Sequence, residues 1–325
     1  MMTLNDIIKP VKDDLKEFSS YFKGTLNTNV PLLNLIIKYV AQRKGKQLRP
    51  ILVFLSAKIC GEVNPRSFVG ASLVELLHSA TLIHDDVVDE ASERRGLASI
   101  NAKWNNKIAV LIGDFLLSKG LLTAIENEEF DFLHAISVAV RRMSEGELLS
   151  IDKSRNTSID EETYFRIIGD KTASLLSSCC KIGALSATTN TEYHQALSEY
   201  GENIGIAFQI KDDMLDYTSR SILIGKPVGN DIKEKKITLP LLYALSKLDE
   251  KDASKIKNRI LKGKMTKGEI ADLIEQVVQM GGIDYAEKIA KEYVDKAKSY
   301  LEIFPESPAK TSFLQFADFV ILRTN

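Results

Sequence analysis

Apolar residues recur at alternating steps of four and three from Val69 through Leu73, Leu76, Ala80 and Ile83 to Val87. That spacing puts side chains on one face of an α-helix. Asn64 and Pro65 stand just ahead of the run, a good N-cap followed by the residue best tolerated in a first turn, so the pattern predicts one long amphipathic helix over 65–89. Similar patterns predict helices over 108–123, 132–149, 171–187 and 192–217, separated by short Gly, Asn or Ser punctuation. No proline lies between Pro65 and Pro227, which leaves that stretch free of the residue most hostile to helix interiors. No alternating run with a tight turn competes for β-structure.

Two polar segments, "KSRNTSIDEET" from Lys153 and "SRSILIGKPVGNDIKEKK" from Ser219, read as loops within a domain rather than linkers between domains. The last third, with Ala271, Ile274, Val277 and Val278, reads as further helical packing material. Because each helix must bury its stripe against another, the expectation is a single all-α domain over residues 1–325.

Composition narrows the function classes. A chain of 325 residues that is 44% hydrophobic and 27% charged has ample material for a core. With 43 basic and 44 acidic residues there is no global positive field to collect nucleic acid or an anionic membrane, so any anion must be bound locally. The acidic start "MMTLNDIIKPVKDDL" argues against a signal peptide, and no run approaches the roughly 18 unbroken apolar residues of a membrane span. Cys60, Cys179 and Cys180 lack metal-ligand spacing and make a poor disulfide framework, which fits reduced thiols in the cytoplasm.

The chemical signal is carried by "LIHDDVVDEASERRG", with Asp85, Asp86 and Asp89, and by "FQIKDDMLDYT", with Asp212, Asp213 and Asp216 at identical offsets. On a helix, residues four apart share a face, so each triplet predicts a compact carboxylate patch. One such patch is ordinarily a solvated surface. Two matching patches on separate apolar helices suit Mg²⁺, which takes one or two carboxylates and fills its shell with water and phosphate oxygens. Basic residues complete the pattern: Lys46 and Arg49 in "GKQLRP", Arg94 and Arg95 in "RRG", Lys171 in "GDKTAS", and Lys226 and Lys236 in "GKPVGNDIKEKK". Together they point to a diphosphate substrate. His78 lies two turns before Asp85 on the same face, whereas His84 points elsewhere; a lone His78 is otherwise read as a buried core histidine.

With these motifs in this order, the chain resembles the trans-isoprenyl diphosphate synthases, or polyprenyl synthetases, over roughly residues 45–240. The resemblance implies the isoprenoid synthase fold, a bundle of about a dozen helices around a central active-site cavity. It further implies that Asp85, Asp86, Asp89, Asp212, Asp213 and Asp216 hold about three Mg²⁺ ions on an allylic prenyl diphosphate, with help from Arg94, Lys171 and Lys226. Lys46, Arg49, His78 and Arg95 would hold isopentenyl diphosphate, Thr172 and Gln209 would face the allylic cation, and Lys236 would join the diphosphate clamp. It also implies a homodimer and a long-chain, all-trans product of the kind used for a quinone side chain. Three positions depart from the family pattern: Gln47 replaces a common basic residue, and Asn105 and Lys235 replace usual glycines.

Product length has its own expectation. Helix 65–89 would span roughly 37 Å, long enough to flank a deep tunnel. Ala80 and Thr81, one turn before the first aspartate, are small where short-chain relatives carry an aromatic plug, with Leu77, Val74 and Phe132 expected deeper. The alternative for Ala80 is a close helix contact. Three activities are therefore weighed: a long-chain synthase, with a short-chain farnesyl or geranylgeranyl synthase behind it; a class I terpene cyclase, which needs no second diphosphate site; and a non-catalytic regulatory subunit, against which the intact aspartate motifs argue.

Overall fold

Asn64 starts the helix that organises the molecule. Its side chain accepts the Arg66 N–H at 2.9 Å, Pro65 occupies the first turn, and the helix α5 runs Pro65–Val88. The computed structural model describes residues 3–42, 47–94, 96–156, 159–218 and 229–323. Ahead of α5 lie α1 (Leu4–Ile7), α2 (Lys12–Thr25), α3 (Pro31–Gln42) and α4 (Leu48–Cys60). After it come α6 (Ile100–Lys103), α7 (Asn106–Glu126), α8 (Phe130–Asn156), α9 (Glu161–Ile168), α10 (Ser174–Ala187) and α11 (Thr191–Leu215). The chain closes with α12 (Asn230–Lys233), α13 (Leu239–Leu245), α14 (Glu250–Leu261), α15 (Lys267–Gln279), α16 (Gly282–Ser299) and α17 (Pro308–Leu322).

The predicted helices form, and the described residues are all-α apart from one two-stranded ribbon. Residues 153–156 and 161–163, expected in a loop, belong to the ends of α8 and α9, and three further details differ. First, α5 is not amphipathic: Phe68, Ala71, Val74 and Leu77 are buried on its second side as completely as Leu73, Leu76, Ala80 and Ile83 are on the predicted stripe. A helix apolar all round belongs at the centre of a bundle. Second, a β-ribbon pairs β1 (Glu93–Arg94) with β2 (Leu97–Ala98), turning through Gly96 at φ 75°; two residues per strand are too few to show an alternation. Third, the predicted helix 171–187 starts earlier. Residues Gly169–Ala173 form a turn of π-helix between α9 and α10, in which Ser174 N–H bonds to Gly169 O.

Packing proceeds outward from α5. Its stripe meets α7 and Ile36 of α3 in one apolar cluster with Ile100, Ala109, Ile112 and Leu116. Its other side joins α4, α8, α10, α11 and α17 in the main core, around Phe54, Phe132, Tyr200 and Phe313. A third cluster, with Tyr164, Ile210, Leu241, Leu273 and Ala286, lies under the C-terminal helices. α11 belongs to both of the last two, Ile204 and Ala207 in one and Ile210 and Met214 in the other, as does α16 through Ala290 and Val294. The C-terminal third is thus built onto the same long helices as the rest.

α7 is, by length and composition alone, apolar enough to cross a membrane. It spends one face on α5 through Ala109, Ile112, Gly113 and Leu116, and leaves Leu111 and Leu122 exposed. The thiols of Cys179 and Cys180 are fully buried, and burial pushes those of Cys60 and Cys180 up to about 12, so neither is a nucleophile at neutral pH.

Candidate active site

α5 ends at the first aspartate cluster. Asp85 is half-buried, and desolvation raises its carboxyl above the usual range while the Lys171 ammonium works in the opposite direction. Asp89, the residue after the last helical one, is exposed. Asp86 departs from the expected open patch. It is fully buried, its Oδ1 accepts from Arg94 Nε, and its backbone carbonyl accepts from Asn101 Nδ2 at 3.0 Å. Asp86 therefore ties the end of α5 to the ribbon and α6, and Arg94 is engaged by it.

The second cluster ends α11 in the same way, with each aspartate in a different setting. Asp212 Oδ1 accepts from Arg323 at 2.8 Å. Asp213 is buried and held from both sides, by Tyr164 O–H at 2.7 Å and by Gln209 Nε2 at 2.8 Å. Burial, reinforced by the Asp231 charge, pushes it up to about 7. Asp216 has turned to the backbone, where its two oxygens accept the N–H groups of Asn230 and Asp231 at 3.1 and 2.9 Å. It seats the start of α12 and brings in Asp231, a carboxylate absent from the sequence expectation. Burial and the nearby Asp216 charge raise Asp231 to about 6. A single Asp inside a lysine-rich segment offered no spacing signal by which to find it.

Between the clusters lies the π-helical turn. Two close approaches seat it: a Cβ at Gly146 of α8 would lie 2.8 Å from Asp170 Cβ, and one at Gly205 of α11 would lie 2.4 Å from Ala173 Cα. Arg142 of α8 clamps it further, bonding Asp170 at 2.7 Å and Glu202 of α11 at 2.7 and 3.1 Å. The extra residue in the turn re-aims the side chains that follow. Lys171 pairs with Glu147 and acts electrostatically on both Asp85 and Glu234, so its charge sits between the α5 cluster and the segment after Asp216. Thr172 Oγ1 donates to Gln209 Oε1 at 2.9 Å, and the chain continues through Gln209 to Asp213.

A separate cationic group forms at the start of α4. Arg49 contacts His78 Nε2 and lies 3.9 Å from Glu75. His84 points the other way, over Gly113 and 3.5 Å from Asp114. Lys236 reaches Glu234 at 2.6 Å and Asp231 at 3.8 Å. Lys46, Arg95 and Lys226 lie outside the described residues.

The three departures resolve differently. Asn105 caps α7, accepting from Ile108 N–H at 2.9 Å. Gln47 and Lys235 both adopt left-handed backbone, at φ 49° and 63°. Lys235 has its Cε 3.2 Å from where a Gly263 Cβ would stand, so its stem lies against Gly263. The left-handed region costs a residue with Cβ roughly 1–2 kcal/mol, partly offset by the backbone entropy glycine loses. Lys235→Gly is therefore expected to raise the unfolding free energy by up to about 1 kcal/mol in a denaturant titration, and no gain would mean that the lysine stem makes up the difference.

The donor chemistry fits a hard divalent cation. Every side chain in the two clusters offers carboxylate oxygen, and among the described residues no three converge into a closed cage. One or two carboxylates per ion, with diphosphate oxygens completing the shell, is how Mg²⁺ is held. Asp85, Asp86, Asp89, Asp212, Asp213 and Asp216, with Asp231 beside them, are the carboxylates that could hold it, and Asp86, Asp212, Asp213 and Asp216 also carry hydrogen bonds within the protein.

A cavity of about 410 Å³ opens beside Arg94, His78 and Gln47 and runs between α2, α3, α5 and α7, lined by Phe22, Val40, Leu76, Ser79, Ile83 and Ile112 among others. The residues expected to measure the product are not its walls. Ala80 packs toward α7, Val74, Leu77 and Phe132 lie in the main core, and Thr81 hydrogen-bonds back to His78 O at 3.0 Å.

This fold and these clusters define an isoprenoid synthase. The polyprenyl synthetase family model matches residues 30–277. Similar proteins include an all-trans-nonaprenyl-diphosphate synthase (geranyl-diphosphate specific) of Rhodobacter capsulatus, 36% identical over 93% of this chain and 92% of its own. A geranylgeranyl diphosphate synthase of Methanosarcina mazei is 34% identical over 96% and 97%. Among solved structures, a decaprenyl diphosphate synthase from Rhodobacter capsulatus superimposes with a TM-score of 0.92 at 31% identity, covering 98% of each chain. A polyprenyl synthase from Caulobacter crescentus, complexed with calcium and isoprenyl diphosphate, gives 0.91 at 30% identity over 99% and 98%. The chain belongs to the polyprenyl synthetase family, and it is a transferase, a trans-prenyl diphosphate synthase.

Proposed function

We propose that the protein condenses isopentenyl diphosphate with an allylic prenyl diphosphate, with Mg²⁺ as cofactor, to make a long-chain all-trans polyprenyl diphosphate of the kind used for a quinone side chain. The observation that carries the reaction is the position of Lys171 on the π-helical turn, ion-paired with Glu147 and with its charge acting on Asp85 and on Glu234. A diphosphate there meets carboxylates that hold cations on either side and an ammonium between them. Bound Mg²⁺ would neutralise the departing diphosphate as the carbon–oxygen bond breaks.

The chain's own groups do the remainder. Arg49, backed by His78, presents N–H donors to the second diphosphate, Lys171 and Lys236 stabilise the charge left on the first, and Thr172 and Gln209 line the path of the allylic cation with oxygens. The isopentenyl double bond adds to that cation and a proton leaves. Among the described residues no side chain stands out as a dedicated base, and the released diphosphate can accept the proton. Enclosure by the apolar bundle keeps water from the cation.

The two sites are separable by mutation. Arg49→Ala is expected to raise the apparent KM for isopentenyl diphosphate roughly 10- to 100-fold with a small effect on the allylic substrate, and Lys171→Ala to do the reverse, since each removes a charge-assisted contact from one substrate. Steady-state kinetics with each substrate varied in turn checks this, and equal effects would merge the two assignments.

The long-chain reading is supported by the cavity of about 410 Å³ that runs between α2, α3, α5 and α7 rather than by Ala80 and Thr81, which do not line it, and incubation with labelled isopentenyl diphosphate and chromatography of the products tests it. A wild-type distribution ending at farnesyl or geranylgeranyl length overturns it. A homodimer is supported by the apolar side chains exposed along α7 and α8, among them Leu111, Leu122, Phe130 and Leu148. Sedimentation of the wild type and of Leu111→Glu with Leu122→Glu measures this, with dissociation expected in the variant. The buried thiols are in keeping with a cytoplasmic protein.

A further inference from the structure

The last described residue is drawn into the wall of the active site. α17 ends at Leu322, and Arg323 leaves it in extended conformation, only 9% exposed. Its Nη2 lies 2.8 Å from Asp212 Oδ1 and 2.8 Å from the Phe208 carbonyl, and its guanidinium carbon sits 3.6 Å from the centre of the Phe208 ring. Phe208 and Asp212 are four residues apart, one above the other on α11, so a single planar group stacks on one while bonding the other.

Burying a guanidinium is costly unless its donors are satisfied, yet Arg323 Nε is buried with no hydrogen-bond partner. Stability alone gives little reason to bring a terminal arginine here. The aspartate it touches opens one of the two carboxylate clusters, and its side chain is 42% exposed toward the site. Carboxylates that ligate metals depend on outer hydrogen bonds to fix their orientation, and losing such a bond typically weakens metal affinity about 10- to 100-fold.

We propose that Arg323 is a positioning residue for Asp212: the C-terminal helix delivers it to hold one carboxylate oxygen, so that Asp212 is already oriented when metal and diphosphate arrive. This rests on the magnesium reading above. It gives α17 a role in the chemistry beyond packing.

Titration calorimetry with Mg²⁺ and inorganic diphosphate, on the full-length protein, tests it without turnover. Arg323→Gln is expected to weaken magnesium-dependent diphosphate binding by about 10- to 100-fold and to raise the Mg²⁺ concentration for half-maximal turnover by a similar factor, with circular dichroism and unfolding midpoint close to wild type. Arg323→Lys should recover part of the loss, because an ammonium keeps the charge but cannot stack and fork together. Phe208→Leu, which removes only the stacking platform, should shift binding in the same direction by less, and serves if Arg323→Gln folds poorly. A wild type that binds diphosphate equally with and without Mg²⁺ overturns the metal reading and this role with it. A magnesium-dependent wild type matched by Arg323→Gln overturns the role of Arg323 alone.

Discussion

Asp85→Ala and Asp212→Ala are each expected to cut turnover by about 10³-fold while leaving the helical circular dichroism unchanged. The size follows from what is removed. Each carboxylate stands on a different helix of the same cleft and is read as holding cation against the same leaving group, and losing one preorganised electrostatic contact to a developing anion costs about 10²–10³ in rate. The fold has little to lose at Asp85, which desolvation holds above its usual pKa, whereas Asp212→Ala leaves the Arg323 guanidinium buried without its carboxylate and should also lower the unfolding midpoint. Radiolabel incorporation at saturating substrate and raised Mg²⁺ checks the prediction. Near-wild-type turnover in either variant would remove that cluster from the mechanism. Asp216→Ala should behave differently, because its two oxygens serve the backbone of Asn230 and Asp231: α12 should loosen, and Asp231 and Lys236 would lose their placement together.

The second large effect belongs to a residue with no side chain. Gly205→Ala would put a Cβ 2.4 Å from Ala173 Cα, a contact that backbone atoms can relieve only by separating α11 from the π-helical turn. That turn carries Lys171 and Thr172, and α11 carries Gln209 and Asp213, so the shift would open the 2.9 Å Thr172–Gln209 bond and move Lys171 within the cleft. A displacement near 1 Å at a reacting centre costs about 10²-fold, and overpacking a core contact costs about 1–3 kcal/mol. Turnover is expected to fall by about that factor together with the denaturation midpoint. Gly24→Ala is the control: nothing lies within 4 Å of a Cβ there, and a helical glycine replaced by alanine typically gains about 0.5–1 kcal/mol. Equal behaviour of the two variants would show that the close approach has no functional consequence.

What the sequence determined by itself was the part of the molecule that periodicity and identical spacing encode. The 3.6-residue rhythm from Val69 to Val87, with Asn64 and Pro65 ahead of it, located α5 to within a residue at its end, because capping and amphipathic spacing are local properties. The repeated D-D-x-x-D offsets put a carboxylate cluster at the C-terminal end of α5 and of α11 for the same reason. Only tertiary structure decided how like residues divided their work. Asp86 and Asp89 are chemically identical, yet one is buried on Arg94 and the other faces solvent. Asp213 and Asp216 are equally alike, and one bonds Tyr164 while the other caps α12.

The same holds for what no pattern announced. Asp231 enters the site through a fold-back onto Asp216 across fifteen positions of sequence, and Arg323 reaches Asp212 from the far end of the chain. The small residue Ala80 could have lined a tunnel or packed a helix, and its burial toward α7 was settled by which neighbour came to lie there. Burial and charge pairing depend on residues brought together by folding, and a periodicity along one segment carries no information about them.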